Sequence, residues 1–335
     1  MVGNAPHRTD ADGEPQRPST HGSSLRPARL PILPRVHLLS FTLLDAPDAE
    51  PRVGLRIGGA IRDLTAATGA HDVGELLRKA GDDRQAFEGL DGPEVDPADV
   101  RVRAPIARPG KIICVGLNYH DHCREQDVDP PRYPMLFAKF ANAVRDPGVP
   151  VVRPVATEQL DIECELGVVI GRRASAVPRA RARDHVFGYT IVNDVTMRDL
   201  QREDRQWLRA KGADGFAPMG PAVVTADEIL DPRRIGLRSS VNGETWQDST
   251  TAEMIFDIAT LVAFVSRTIT LEPGDVIATG TPAGVGHFQD PPRYVSGGDV
   301  MRCEIDGIGA IENPVVDATP RDPDHDRASG VASLA

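Results

Sequence analysis

Aromatic residues make up only 4 % of this 335-residue chain, and it has just four cysteines. The core must therefore be carried by alanine, valine and leucine. The cysteines, Cys114, Cys123, Cys164 and Cys303, are scattered without a Cys-x-x-Cys pair, which argues against zinc ligation and against a disulfide-stapled scaffold. They read as reduced thiols of a cytosolic protein, and neither Cys123 nor Cys164 has the context of a nucleophile. No run of about eighteen apolar residues exists, so no membrane span is expected. An N-terminal apolar h-region is missing, which argues against a secretory signal, and Asp10, Asp12 and Glu14 argue against a transit peptide. The expected location is cytoplasmic. Positive charge is in deficit, with 38 Lys and Arg against 49 Asp and Glu and a net charge of −11. That balance argues against a nucleic-acid partner.

The length allows one large domain and a smaller one. Residues 1–35 are rich in Pro, Arg, Ser, Gly and His and are expected to be disordered. Residues 36–105 form an expected small N-terminal α/β domain, with strand-like stretches at 36–41 and 53–57 and a helical stretch at 73–81. Residues 106–317 form the expected catalytic domain, and 318–335 read as a polar tail. Many short strands separated by Gly, Pro and Asp, with few helical patterns, predict an α+β, predominantly β fold.

The most informative stretch is Asp161-Ile162-Glu163-Cys164-Glu165-Leu166-Gly167-Val168-Val169-Ile170-Gly171. A strand repeats every two residues, so Glu163 and Glu165 point to one face. Side by side at the edge of a buried strand they repel, and a divalent cation is the simplest group to sit between them. Thirty residues on, Tyr189-Thr190-Ile191-Val192-Asn193-Asp194 is a second short strand ending on a carboxylate. Three carboxylates from two strands would leave half of an octahedral Mg²⁺ site open for water and substrate. The plain alternative is a solvated strand end. The apolar Gly-Val-Val-Ile-Gly that follows weakens it, because that run reads as buried on both faces.

Lys111-Ile112-Ile113-Cys114-Val115-Gly116 is a strand stopped by glycine, followed by a polar segment expected to start a short helix at Asn118. His122 and Glu125 then share a helix face, and a carboxylate beside an imidazole raises its basicity, as a general base requires. His120 competes for that role. If the chain after Asp194 is helical, Asp194, Arg198 and Gln201 share a face, and Arg198 and Gln201 suit the polar end of an anionic substrate. The alternative is an ordinary Asp–Arg helix pair. Lys211 lies in an expected loop. Residues 271–286 read as a turn, a strand and a glycine-rich loop, whose N–H groups and Thr281 hydroxyl suit a carboxylate. The loop lacks the Gly-Lys-Ser/Thr ending of a phosphate loop.

These blocks, together with Phe137-Ala138-Lys139, Val241-Asn242-Gly243-Glu244, Pro273-Gly274-Asp275-Val276-Ile277 and Thr279-Gly280-Thr281-Pro282, resemble the fumarylacetoacetate hydrolase superfamily over about 108–317. Asp121-His122-Cys123-Arg124-Glu125-Gln126 is similar to the fumarylacetoacetate hydrolase domain-containing proteins within it. Phe140 departs from the proline common after the lysine of Phe-x-Lys, which bears on the substrate more than on the chemistry. The resemblance implies a mixed β-sandwich roll, usually a homodimer. It implies Glu163, Glu165 and Asp194 as Mg²⁺ or Mn²⁺ ligands and His122 with Glu125 as the proton-handling dyad. Arg198, Gln201, Lys211 and Thr281 match positions that hold a 2-oxo acid or its enolate.

The expected activity is a divalent-metal-dependent C–C hydrolase. It would cleave a 2,4-dioxo acid such as an acylpyruvate through a metal-stabilised enolate, with Lys211 countering charge near the leaving fragment. The same parts without water attack permit isomerisation, tautomerisation or decarboxylation of a 2-oxo or hydroxymuconate-type diacid. A metal-binding regulatory protein without turnover is the reading from a different class, and a water-activating base argues against it.

Overall fold

Two large β-sheets sharing one core, with a two-stranded ribbon of Leu160–Asp161 and Thr196–Met197, organise the residues described by this computed structural model, 37–80, 90–229 and 231–319. The expected disordered segment 1–35 and nearly all of the polar tail lie outside the described residues. The larger sheet has twelve strands and is open. Its main path runs Glu94–Val95, Ala60–Asp63, Arg52–Ile57, His37–Leu43, Ala217–Thr225, Val186–Asn193, Cys164–Ile170, Val276–Ala278, Ile112–Gly116 and Met135–Lys139. Most pairs are antiparallel, whereas Val276–Ala278 runs parallel to Ile112–Gly116. The fold is thus mostly β with mixed sheets and few, short helices, as expected. No described helix is long and apolar enough to cross a membrane.

The sheet's centre follows from its sequence. Cys164–Ile170 and Val186–Asn193 are buried at every residue, as apolar runs without polar alternation require. They pair antiparallel from Cys164↔Asn193 to Ile170↔Val186. Glu163 and Asp194 therefore leave the same end of one strand pair, and the Asp194 N–H donates to the Glu163 carbonyl at 2.9 Å. The sheet's middle delivers the carboxylates to one place.

The second sheet has the order Glu244–Thr250, Gly236–Val241, Val300–Ile305, Gly309–Asp317 and Val151–Arg153. Its first hairpin turns at Asn242 and Gly243, both at positive φ, the turn that an Asn-Gly pair favours. Leu237, Cys303 and Ile305 of this sheet share a core with Leu166, Val168 and Ile191 of the first. The helix expected near 73–81 spans Val73–Ala80 and buries Val73, Leu76 and Leu77; Gly81 lies outside the described residues. The N-terminal strand His37–Leu43 continues the large sheet, through His37↔Val224 and Leu38↔Val223.

Candidate active site

The carboxylates of Glu163, Glu165 and Asp194 converge, with one oxygen of each within 4.8 Å of the others, and all three residues are buried. They line a cavity of about 370 Å³ together with His122, Arg198 and Lys211. Gln201 and Thr281 also line it, so every site residue expected from the sequence either faces the cavity or, like Glu125, touches one that does.

The buried charges around the cluster do not balance. Asp161, Glu163, Glu165 and Asp194 are four buried carboxylates, set against the cations Lys139, Lys211 and Arg198. Asp194 lies 2.6 Å from Lys139 Nζ and 2.8 Å from Lys211 Nζ. Glu163 lies 2.8 Å from Lys211 Nζ and 2.6 Å from the Arg198 guanidinium. Asp161 lies 2.9 Å from Arg198 Nε. Glu165 has no cation of its own among the described residues, and its one hydrogen bond comes from the Gly280 N–H at 2.9 Å. Burial, then the neighbouring Asp194 and Glu163, push its carboxyl pKa well above the ordinary range. Glu163 goes the other way: burial opposes it, but Lys211 and Arg198 hold it well below that range. One buried carboxylate short of a positive partner, beside two more carboxylates, is a donor set that fits a hard divalent cation with oxygen ligands.

The sequence reading gave no role to two residues that build this cluster. Lys139 ends the strand Met135–Lys139 with its side chain fully buried. It donates to the carbonyls of Val195 at 3.2 Å, Phe216 at 2.7 Å and Lys211. A lysine closing an otherwise apolar strand was the available signal. Asp161 accepts from the backbone N–H groups of Gly286 at 2.9 Å and His287 at 3.0 Å, which ties that loop to Arg198. Its signal was its place two residues before Glu163; it ends the separate short strand Leu160–Asp161.

Three local expectations need correction. The short helix runs His120–Glu125, and its N-cap Tyr119 makes no side-chain cap. Asn118 instead bridges loops: its amide donates to the Thr279 carbonyl at 2.7 Å and its Oδ1 accepts from the Phe256 N–H at 2.8 Å. The helix after Asp194 begins only at Arg198, because the two-residue strand Thr196–Met197 intervenes. Arg198 still reaches the carboxylates, through a short helix rather than a shared face. Lys211 closes the helix Leu208–Lys211 instead of lying in a loop. Its ammonium donates to Glu163 at 2.8 Å, Asp194 at 2.8 Å and Thr196 Oγ1 at 2.7 Å, so all three hydrogens are engaged. It also stands 5.1 Å from the centre of the Phe137 ring.

The glycine-rich loop serves the protein's own carboxylates. Gly280 is at φ 97°, and a side chain there would meet Asn118 and Val115 at 2.9 Å. Gly284, at φ 100°, would collide with the Trp246 carbonyl. Freed of side chains, Gly280 donates to Glu165 and Gly284 donates to Glu125 at 2.7 Å. Thr281 Oγ1 donates to the Cys164 carbonyl at 3.2 Å and accepts from Gln247 Nε2 at 2.7 Å.

Geometry separates the two histidines. His120 is exposed. His122 is 6 % exposed, lines the cavity and has Nδ1 2.5 Å from Glu125 Oε1. That contact fixes the proton on Nδ1 and leaves Nε2 as the basic nitrogen, an assignment made from the partners. Arg198 Nη1 donates to Gln201 Oε1 at 3.0 Å, which leaves the Gln201 amide nitrogen as a donor.

A sandwich of this topology places a buried acidic triad, a donor set that could hold a divalent cation, in one cavity with a His–Glu dyad. The pattern described as Fumarylacetoacetate (FAA) hydrolase C-terminal matches residues 111–316, and the chain belongs to the fumarylacetoacetate hydrolase family. A Xenopus laevis protein named oxaloacetate tautomerase fahd2, mitochondrial, is 43 % identical over 290 residues, covering 84 % of this chain and 90 % of the relative. A fumarylacetoacetate hydrolase structure from Exiguobacterium antarcticum is 39 % identical with a TM-score of 0.74, covering 84 % of this chain and all of that one. A maleylpyruvate hydrolase from Sphingobium, solved with manganese(II) and pyruvate, is 33 % identical with a TM-score of 0.69 over the same shares.

Proposed function

We propose that this protein is a Mg²⁺- or Mn²⁺-dependent tautomerase of a small 2-oxo diacid such as oxaloacetate. The observation that carries the reading is the His122–Glu125 dyad opposite the triad in one cavity. Similarity to a protein named oxaloacetate tautomerase supports the substrate class and favours tautomerisation over the hydrolysis expected first. Glu163, Glu165 and Asp194 would hold the ion, which would supply Lewis-acidic charge to stabilise the enolate.

The rest of the chemistry falls to the chain. Lys139, Lys211 and Arg198 hold the Glu163 and Asp194 carboxylates in place by ion pairs. The Gln201 amide orients the substrate's polar end. His122 Nε2 takes the proton from C3 of the keto form, and the charge that appears on Nδ1–H is met by Glu125. Toward the enol, the oxygen takes a proton from water and His122 releases its Nε2 proton to water; toward the keto form, the oxygen proton goes to water and Nε2–H delivers a proton to C3. Tautomerisation needs no second nucleophile, and His122 beside Glu125 supplies a positioned base.

C–C hydrolysis is the second reading, favoured by the relative solved with manganese and pyruvate. One comparison separates them. Purified protein with Mg²⁺ is given enol oxaloacetate, followed by loss of enol absorbance, and separately an acylpyruvate, followed by release of pyruvate. Enol loss faster than the Mg²⁺ blank, with no cleavage of the acylpyruvate, supports the tautomerase. Cleavage without enol loss replaces it with the hydrolase.

A further inference from the structure

One cation of the cavity wall has no part in the cluster. Arg202 lines the cavity, yet among the described residues it pairs with no carboxylate. Its Nη2 donates to Gln159 Oε1 at 2.8 Å, and its Nη1 lies 3.4 Å from His287 Nε2. His287 is itself fixed. Its backbone N–H donates to Asp161, and its Nδ1 lies 2.9 Å from the Tyr294 hydroxyl. Burial, then Arg198 and Arg202, lower the imidazole pKa, so near neutral pH Nε2 is an acceptor turned toward the guanidinium. A neutral acceptor and an amide oxygen orient an arginine without neutralising it. An oriented, uncompensated guanidinium is a receptor for an anion.

The distance along the helix suggests which anion. Arg198 and Arg202 are four apart on the helix Arg198–Glu203, so their Cβ atoms are about 5–6 Å apart on one face. Arg198 touches Glu163 in the cluster, and Arg202 therefore stands one turn away from it. Three C–C bonds of about 1.5 Å put the carboxyl carbons of a four-carbon diacid about 4 Å apart. Charge-assisted hydrogen bonds of about 2.8 Å close the remaining gap.

We infer that Arg202, positioned by Gln159 and His287, binds the far carboxylate of a four-carbon 2-oxo diacid and sets a preference for diacids over monoacids. The inference rests on the tautomerase reading for the orientation of the substrate. It differs from that reading in assigning specificity to a residue outside the metal and dyad groups.

The test uses the full chain with Mg²⁺, as wild type, Arg202→Gln and Arg202→Lys. Turnover is measured on oxaloacetate and on its 4-methyl ester, and binding of 2-hydroxysuccinate and of lactate is measured calorimetrically. Arg202→Gln should raise KM for oxaloacetate about tenfold or more with kcat within a few-fold, since a partly exposed charge-assisted pair is lost. The preference for diacid over ester, and for 2-hydroxysuccinate over lactate, should shrink by a similar factor, and Arg202→Lys should restore part of it. If wild type prefers the diacid and Arg202→Gln keeps that preference, the subsite is wrong while the tautomerase reading stands. If wild type neither binds 2-hydroxysuccinate nor turns over oxaloacetate, the tautomerase reading is wrong and the subsite falls with it.

Discussion

Glu165→Gln should make the metal-free protein more stable and the metal-loaded protein less stable than wild type. Glu165 is fully buried, has no cation partner, and sits beside Asp194 and Glu163, which together with burial raise its pKa. Glutamine keeps the carbonyl that accepts the Gly280 N–H and removes the charge. At a pH above the raised folded pKa, where Glu165 is charged, relieving that uncompensated buried charge is worth about 1–3 kcal/mol. At about 2–4 °C per kcal/mol, Tm without metal should rise by roughly 2–12 °C. Wild type at a Mg²⁺ concentration of about 100 Kd should gain about 2.7 kcal/mol, and the variant should lose most of that gain. The pH dependence has a definite sign. The contribution of Glu165 to metal-free stability is full below the ordinary carboxylate pKa of 4.5 and is lost as pH rises through its raised folded value. Ion binding requires that same proton to leave, so the Mg²⁺-induced gain in Tm should grow with pH across that window. Calorimetric melting with EDTA or Mg²⁺ at several pH values reads all of this. A variant that melts below wild type in EDTA, or that keeps the whole Mg²⁺ gain, would refute the reasoning.

Other substitutions separate the roles of the remaining groups. His122→Ala should lower turnover by about 10²–10⁴-fold and leave the Mg²⁺-induced Tm gain intact; recovery of the wild-type rate in excess Mg²⁺ would remove His122 as the base. Glu125→Gln should lower the rate as well, because its amide, while accepting from Gly284, would donate to Nδ1 and move the ring proton onto Nε2. A pH–rate profile unchanged by that variant would argue against the dyad. Lys139→Met breaks the buried pair with Asp194 and orphans backbone carbonyls. It should cost about 3–5 kcal/mol, lowering Tm by roughly 6–20 °C with or without Mg²⁺; a near-wild-type melt would show that Lys139 does not support the cluster.

The parts of the site that depend on strand parity were legible in the sequence. Glu165 opens one apolar strand, Glu163 and Asp194 stand one residue outside the paired strands Cys164–Ile170 and Val186–Asn193, and the antiparallel pairing of those strands brings the three together. His122 and Glu125 were legible because three residues apart on any short helix is one face. Long-range ion pairing was not legible. Nothing local tells that Lys139 reaches Asp194 across 55 positions, or that Asp161 binds both Arg198 and the loop at Gly286 and His287. The helix after Asp194 was misplaced because two residues of strand pairing, Leu160↔Met197 and Asp161↔Thr196, override local helical spacing. Arg202 was passed over because an exposed helix arginine looks the same in sequence whether or not a cavity opens beside it.

The central claim is that this chain moves a proton at C3 of a 2-oxo diacid through His122. Its most direct test is ¹H NMR of oxaloacetate in D₂O with Mg²⁺-loaded protein, against Mg²⁺ alone and against His122→Ala. Wild type should accelerate loss of the C3 proton signal over the Mg²⁺ blank, and His122→Ala should bring the rate back toward that blank. Exchange no faster than the blank with wild type, or equally fast with His122→Ala, would contradict it.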